Sequence, residues 1–328
     1  MEKSMEQRIE LFIKNRDIMK SNFRWDNSTL YPLCACLYTE QGIEIDVLKI
    51  KKCKVIIKNN ANLFSPFRGT IDLALATMLS LDKEPENKFQ KILKAYEILR
   101  QEFRSSQYLP LSAFVMANMV EPLEYEVIVR KSEEIYQRMK NEHPFLTSAE
   151  DSSFAVMFAL STLTVDKVVD EMESCYQQLK GNFFSANAVQ SLSHTLALGE
   201  ENTIEKCNRV IDIFNGLKER RCKFGTGVEL AVLGVLALIT DDVKQTIEDI
   251  IKVNEALLNS KGFGAFGTGK TQRMMYSAIL VEQEYKKSCI DNLMNITSIN
   301  SITSIIIAQQ VAITAAIAAS AAASSSSN

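Results

Sequence analysis

Residues 152–163 have the sequence SSFAVMFALSTL, and residues 164–179 continue as TVDKVVDEMESCYQQL. The second segment is charged, and its apolar residues are spaced three and four apart, which is typical of an amphipathic helix that starts at Thr164. The first segment is uncharged, and by periodicity alone a short apolar run fits a buried strand or a buried helix. Its content of Ala, Leu and Met favours a helix. The two segments together therefore predict a pair of helices.

The same alternation of a charged helix and an uncharged run recurs along the chain, and a phenylalanine marks each recurrence. These phenylalanines are spaced 39 to 42 residues apart. They are Phe23, Phe64, Phe103, Phe145, Phe184, Phe224 and Phe266. The recurrence predicts an all-α fold made of about seven α/α helical-hairpin repeat units of roughly 40 residues each, arranged as a solenoid or a closed toroid.

Charge separates the two kinds of predicted helix. The long helices carry the Lys and Glu residues, so we expect them to form a solvated outer layer around the uncharged short helices. An open solenoid usually presents polar side chains to its partner, and the short helices have almost none. The pattern therefore favours tight curvature, as in a closed ring with a narrow centre.

The composition limits the classes of function. Of the 328 residues, 46% are hydrophobic and 23% are charged, which is typical of a globular chain with a large core. A net charge of -3 and a pI near 5.7 provide no positive field for nucleic acid, which we therefore exclude as a partner. The seven cysteines are odd in number, and no apolar signal core follows the opening MEKSMEQRIE. We expect reduced thiols and a cytoplasmic location.

A phosphate-loop pattern occurs at residues 264–271, which have the sequence GAFGTGKT. A nucleotide-binding loop of this kind follows a strand, whereas a charged helix is predicted immediately before it. The string FGTG also occurs at residues 224–227, in the same repeat position and without the lysine. A glycine-rich turn between helices is the better interpretation. Lys270 and Arg273 could still bind an anion at the start of the following helix.

We expect no metal and no cofactor. The spacing of Cys34 and Cys36 does not suit a zinc site, and the two histidines fall in different repeats. His194 lies in an uncharged run, where a hydrogen-bonded core histidine is more common than a catalytic one. Glu150 and Asp151 begin an inner helix, and paired carboxylates serve as catalysts in some helical toroids, but that argument rests on fold analogy.

The repeat also predicts where a binding site would lie. The phenylalanine loops all fall on one rim, and such loops often form the binding surface of a repeat array. The candidate ligand-binding residues on this rim and on the helix beside it are Arg68, Asp151, Asn187, Gln190, His194, Glu229, Lys270 and Arg273. We assign no catalytic residue. The leading hypothesis is a non-catalytic binding or scaffold protein whose partner is a protein, a peptide or a small molecule, and the alternative is an enzyme with a polar pocket on the rim.

The composition changes abruptly near residue 290. Residues 1–290 form the predicted repeat domain, and residues 291–328 form a tail rich in Ile, Ala and Ser with no charge from Asn292 onward. The Gln, Ser and Thr residues of the tail, and the lack of a basic flank, argue against a membrane anchor. We expect membrane contact through the tail or not at all. The favoured role of the tail is to dock as a helix or to mediate self-association.

Three strings carry a resemblance to a known family, namely HPFLTSAEDS at 143–152, FFSANAVQSLSHTLALGEE at 183–201 and KGFGAFGTGK at 261–270. With these strings and the tail ending AAIAASAAASSSSN, the whole chain resembles the bacterial family called domain of unknown function 4003. The resemblance implies one unit that spans the chain. It implies no activity, substrate or catalytic residue.

Overall fold

The structure, a computed structural model, describes residues 2–293 except 64, 150, 228 and 265–267. This part of the chain contains fourteen α-helices, two short 3-10 helices and no strand, which confirms the all-α prediction. The odd-numbered helices are α1 (Glu2–Asn22), α3 (Val47–Asn60), α5 (Pro85–Glu102), α7 (Tyr125–Glu142), α9 (Val165–Leu179), α11 (Thr203–Glu219) and α13 (Val243–Leu258). The even-numbered helices are α2 (Tyr31–Glu40), α4 (Asp72–Ser80), α6 (Leu109–Met119), α8 (Asp151–Leu160), α10 (Ala186–Ala197), α12 (Leu230–Ile239) and α14 (Lys270–Leu293).

The helix predicted to start at Thr164 is α9, which begins at Val165, and other odd-numbered helices begin at capping side chains. The side chain of Asn202 accepts hydrogen bonds from the backbone N–H groups of Ile204 and Glu205, at 3.0 and 3.3 Å. Asp242 accepts one from the N–H of Gln245 at 3.0 Å. Each bond satisfies a donor that the first turn of a helix would otherwise leave unpaired.

Most of the even-numbered helices are buried around their whole circumference. In α4 every residue from Leu73 to Ser80 is buried, and in α12 every residue from Leu230 to Ala237 is buried. This explains why their sequences show no helical periodicity. The last even-numbered helix differs from the prediction because it is 24 residues long and continues to Leu293. The tail from residue 294 onward, with the docking and self-association predicted for it, lies outside the described residues.

The chain divides into two compact units. Among the described residues, the N-terminal unit comprises residues 14–169, and the C-terminal unit comprises residues 2–13 together with 170–293. Within the N-terminal unit α2 packs on α4, α6 packs on α8, and α3, α5 and α7 follow one another. Within the C-terminal unit α10, α12 and α14 are successive neighbours, and α11 packs on α13. In both units, therefore, even-numbered helices pack on even-numbered helices, and odd-numbered helices pack on odd-numbered helices.

A glycine sets the distance between two of these neighbours. Gly234 of α12 faces Leu192 and Thr195 of α10, and a Cβ atom at Gly234 would lie 2.9 Å from the Leu192 side chain. The absence of a side chain therefore allows α10 and α12 to approach closely.

Aromatic residues in the loops after odd-numbered helices join successive hairpins. Phe67 packs edge-on against Tyr96 of α5, with ring centroids 4.9 Å apart, and Phe103 packs in the same way against Tyr136 of α7, at 5.5 Å. In the C-terminal unit the corresponding residue is Phe183. Such pairs stabilise a core beyond their buried area.

The structure shows that two of the recurring phenylalanines do not pack in the core. Phe145 and Phe184, which mark two of the predicted repeats, are fully exposed, and the packing residue beside Phe184 is Phe183. Phe64 and Phe266 lie outside the described residues. A spacing near 40 residues in the sequence could not decide between neighbouring phenylalanines.

Basic side chains of odd-numbered helices cap the carboxyl ends of even-numbered helices. Lys88 of α5 donates to the carbonyl of Ala117 in the last turn of α6, at 3.3 Å. Lys131 of α7 donates to the carbonyls of Ala159 and Ser161 at the end of α8, at 3.2 and 3.0 Å. Terminal carbonyls lack a partner within their own helix and carry partial negative charge, so a buried cation satisfies both needs.

We expect Lys131→Met to lower the free energy of unfolding by about 1–3 kcal/mol, because two buried carbonyls lose their donor. Arg130→Met is the matched control, since Arg130 is exposed on the same helix and pairs with Glu126 at the surface. It should change stability by less than about 0.5 kcal/mol. Urea denaturation followed by circular dichroism measures both. Equal effects of the two substitutions would contradict the capping role.

Candidate functional site

A cleft with a volume of about 230 Å³ opens beside the carboxyl half of α3 in the N-terminal unit. We call it the cationic cleft. Its lining consists of Lys54, Val55, Ile57, Lys58, Arg68 and Asp72. Four of these six residues are charged, and three of the four are cations.

The sequence of α3 explains how its two lysines reach the cleft. Ile50, Cys53 and Ile57 are buried and fix the inward face of the helix. Lys54 and Lys58 are four residues apart, so they lie one above the other on the adjoining face.

The 3-10 helix Pro66–Arg68 brings the third cation to the cleft. The side chain of Ser65 accepts a hydrogen bond from the N–H of Phe67 at 3.4 Å, which starts the helix. Phe67 is buried against α5, and its ring lies 5.5 Å from that of Phe89. Because Phe67 is anchored, Arg68 at the next position is held at the cleft.

Lys54 is neutralised within the fold. Its ammonium group forms ion pairs with Asp26, in the loop after α1, and with Asp72, at 3.5 Å, in the first turn of α4. Burial raises the pKa of Asp72, and the nearby Lys54 opposes that rise. Lys54 thus acts as a link between three segments.

Lys58 and Arg68 are not neutralised in the same way. Neither forms an ion pair with any of the residues that the structure describes, and no hydrogen bond of either side chain is found there. Lys58 is exposed and Arg68 is half-buried. The cleft therefore presents two cationic groups to whatever enters it.

Asp151, the other candidate residue of this unit, has a structural environment. It is buried at the first position of α8, and its carboxylate accepts a hydrogen bond from the N–H of Ser148 at 2.8 Å. A carboxylate at a helix start is favoured by the helix dipole. Glu150 lies outside the described residues, so the structure does not describe the predicted carboxylate pair.

The remaining candidate residues belong to the C-terminal unit. Gln190 and His194 are buried one turn apart on α10, whereas Asn187 is exposed. Glu229 accepts a hydrogen bond from the N–H of Gly227 at 3.0 Å, within the repeated FGTG string. A Cβ atom at Gly225 would meet both Glu229 and Thr271, so this loop lies against the start of α14.

Arg273 anchors a loop. It is 6% exposed, and it donates to the side chain of Asn254 at 2.9 Å and to the carbonyl of Phe263 at 2.6 Å. These bonds tie the loop after α13 to α14. Lys270, at the first position of α14, is exposed.

Of the residues that line the cleft, the sequence indicates Arg68 as a candidate but not Lys54, Lys58 or Asp72. The charge pattern of α3 is a signal that could indicate these lysines, since the helix has five lysines and no acidic residue in fourteen positions. No other site type is indicated by the described part of the chain. It contains no group of three or more His, Cys, Asp or Glu residues placed to hold a metal ion. None of its helices has the length and apolar content needed to cross a membrane.

Comparison with known proteins agrees with the resemblance seen in the sequence. A family model described as a protein of unknown function (DUF4003) matches residues 15–311. The chain belongs to this family. It is also 25% identical over 308 residues to "Uncharacterized protein YeaA" of Bacillus subtilis (strain 168), with 90% of each chain covered. No solved structure gives a significant match.

The C-terminal unit of this DUF4003 chain contains a second polar cluster, which is buried. Lys206 of α11 is completely buried, and its ammonium group lies 2.8 Å from Glu171 of α9 and 2.8 Å from the carbonyl of Gly199. Thr203 donates to the same Glu171 oxygen at 2.7 Å. The contacts of Lys206 are with the fold itself, so we interpret the cluster as structural.

Two cysteine thiols lie beside this pair. A hydrogen bond between Cys175 and Cys207 raises the pKa of Cys175, and burial acts in the same direction. The described cysteines are free thiols, and all of them are buried except Cys222, which is partly exposed.

The ion pair between Glu171 and Lys206 predicts how the stability of the fold depends on pH. Burial disfavours the Glu171 carboxylate, but hydrogen bonds from Lys206 and Thr203 outweigh it, so the pKa of Glu171 is lowered. A carboxylate whose pKa is lower in the folded state than in the unfolded state stabilises the fold at pH values above its unfolded pKa. This stabilisation is lost as the pH falls through the pKa of the folded state.

We therefore expect Glu171→Gln to lower the free energy of unfolding of the DUF4003 chain at pH 7 by roughly 3–5 kcal/mol, because Lys206 stays buried without its partner charge. The difference from the unsubstituted protein should shrink as the pH falls through the lowered pKa of Glu171, because the carboxylate is then protonated in the unsubstituted protein too. Urea titrations at several pH values measure this difference. Glu126→Gln, on the exposed surface of α7, is the control. A pH-independent difference would contradict the ionised pair.

Proposed function

We propose that this protein is a non-catalytic binding protein and that the cationic cleft binds a phosphate-type anionic group. The observation that carries the proposal is the pair formed by Lys58 and Arg68. Both line one cleft, and neither has an ion-pair partner among the described residues. Cations that the fold does not neutralise are suited to an anion from outside it.

The chemistry of the lining favours phosphate. A guanidinium group binds phosphate oxygens through two parallel hydrogen bonds, and an ammonium group adds a compact charge. Lys54 is held by Asp26 and Asp72, so the wall of the cleft is fixed before a ligand arrives. A fixed wall lowers the ordering cost of binding.

The volume of the cleft suits a ligand with a single phosphate-type group. Pockets for drug-sized ligands usually have volumes of about 300–1,000 Å³. The cationic cleft has about 230 Å³ and is open to solvent on one side. A phosphate head with a short attachment fits this volume better than a whole nucleotide does.

The lining also favours binding over catalysis. The described residues that line the cleft offer charged and aliphatic side chains, and no histidine, cysteine or hydroxyl group is among them. General acid–base and nucleophilic mechanisms often use such groups, and the one carboxylate of the lining, Asp72, is paired with Lys54. The enzyme considered from the sequence receives no support from this cleft.

We further propose that the hairpins form an α/α repeat array, either a solenoid or a closed toroid. Two contacts inside the C-terminal unit join the first helix to the last hairpin. Phe263, in the loop after α13, packs on Phe12 of α1 with ring centroids 5.6 Å apart. Arg8 of α1 pairs with Glu284 of α14 at 3.0 Å, and both side chains are at most 10% exposed. In this arrangement α1 takes the place that the next odd-numbered helix would occupy.

A cytoplasmic location is part of the same proposal. The free described cysteines support it, because disulfides are rare in reducing compartments. Scaffold roles remain compatible with the repeat array, but the cleft is the specific feature that an experiment can address.

We expect inorganic pyrophosphate to bind the full chain and the double variant Lys58→Ala/Arg68→Ala to lose at least about tenfold in affinity, equivalent to ~1.4 kcal/mol. Isothermal titration calorimetry measures both. Lys94→Ala removes an exposed lysine from α5 and should bind pyrophosphate as the unsubstituted protein does. The proposal is wrong if pyrophosphate does not bind, or if the double variant binds it unchanged.

A further inference from the structure

The cationic cleft is flanked by two turns, each of which exposes a large apolar side chain at its apex. The first turn, residues 23–26, is closed by a hydrogen bond from the N–H of Asp26 to the carbonyl of Phe23 at 2.9 Å. The second turn is held by a hydrogen bond from the N–H of Ser65 to the carbonyl of Asn62, also at 2.9 Å. Trp25 in the first turn is 100% exposed, and Leu63 in the second is 67% exposed. We call these the apical turns, and their described residues are 23–26 in the first and 62, 63 and 65 in the second.

Contacts with α3 fix both turns next to the cleft. In the first, Asp26 pairs with Lys54 in the wall of the cleft. Lys51, also on α3, lies over the ring of Phe23 at 5.9 Å from its centroid. The second turn follows α3 directly and leads into the 3-10 helix that carries Arg68. The apolar apices and the cations therefore belong to one surface.

A third exposed apolar side chain lies at the same end of the N-terminal unit. Phe145 is 100% exposed and sits in a turn closed by a bond from the N–H of Leu146 to the carbonyl of His143 at 3.1 Å. This turn also follows an odd-numbered helix. Lys52 and Asn60 of α3 contact residues in the same order along α5, so these two odd-numbered helices run in one direction. Hairpin topology then places the loops after α1, α3 and α7 at a common end.

Single exposed apolar residues are ordinary on protein surfaces. Trp25 and Leu63 are different in kind because each is at the tip of a closed turn and the two tips flank a cleft with two available cations. Tryptophan is enriched at membrane–water interfaces, where its ring contacts lipid and its N–H contacts water. Basic residues next to such rings are attracted to anionic headgroups. A set of separate protruding tips also suits a soft surface better than it suits a rigid partner.

We propose that this end of the N-terminal unit docks on the surface of an anionic phospholipid bilayer, with a lipid phosphate in the cationic cleft and Trp25 and Leu63 inserted among the headgroups. The inference rests on the proposed function, since it names the source of the phosphate. The binding is peripheral and needs no membrane-spanning helix. It differs from the expectation drawn from the sequence, in which the tail alone could contact a membrane.

The experiment uses the full chain and two kinds of vesicle. One kind is phosphatidylcholine alone, and the other contains about one third phosphatidylglycerol. Trp25 is the single tryptophan of the chain, so its fluorescence reports on this apical turn without any label. We expect cosedimentation with the anionic vesicles only, weakened by added salt, and a blue shift of the tryptophan emission as the indole leaves water.

Substitutions locate the contact. Trp25→Ser and Lys58→Ala/Arg68→Ala should each lower the vesicle partition coefficient about tenfold, because one removes an inserted ring and the other removes two cations. Leu123→Ser is the matched control for the apolar residues, since Leu123 is 95% exposed in the loop between α6 and α7, at the other end of the unit. Lys94→Ala is the control for the cations. Both controls should partition as the unsubstituted protein does.

Three results would overturn the inference. If pyrophosphate binds in the cleft but anionic vesicles neither bind the protein nor shift its emission, the cleft serves a soluble phosphate and the proposed function stands without the membrane. If vesicles bind but neither the emission nor the two substitutions respond, another segment makes the contact. Failure of both pyrophosphate and vesicles to bind would reject the proposed function together with the inference.

Discussion

Most of the even-numbered helices have few charged side chains and are buried on nearly every side, so neighbouring elements must satisfy their terminal carbonyls. Basic residues of the odd-numbered helices do so at a similar place in several hairpins. The donor and carbonyl pairs are Lys49 with Asp82, Lys88 with Ala117, Lys131 with Ala159 and Arg209 with Thr240. A buried carbonyl without a donor would cost about 1–3 kcal/mol, so these contacts fix how each long helix lies along its short partner.

This arrangement separates structural cations from available ones. A lysine in the first half of an odd-numbered helix, such as Lys49 or Lys88, caps the carboxyl end of the even-numbered helix that follows it. Later in α3, Lys54 pairs with the carboxylates of Asp26 and Asp72. Lys58, one turn further along, has no ion-pair partner among the described residues. Arg68 joins it because Phe67 must be buried against α5. The cationic cleft is thus a consequence of the same packing that holds the hairpins together.

The sequence predicted the helical pairs well because charge alternates with burial along the chain. It also predicted the helix start at Thr164, whose side chain acts locally by accepting a hydrogen bond from the N–H of Lys167. It did not identify which aromatic of a loop packs, because Phe183 and Phe184 are adjacent and only the three-dimensional position of α11 distinguishes them. Lys54 and Lys58 were missed because lysines four residues apart on a helix look like an ordinary solvated face. Arg273 looked like an anion ligand, but its partners, Asn254 and Phe263, are brought to it only by the fold.

The central claim is that Lys58 and Arg68 together form an anion site, and diffraction from crystals soaked in tungstate tests it most directly. Tungstate has the charge and shape of phosphate, and its anomalous scattering locates it without ambiguity. The account predicts a tungstate ion between the Lys58 ammonium and the Arg68 guanidinium, within hydrogen-bond distance of both. Crystals in which this cleft is open to solvent and tungstate binds only elsewhere would contradict it.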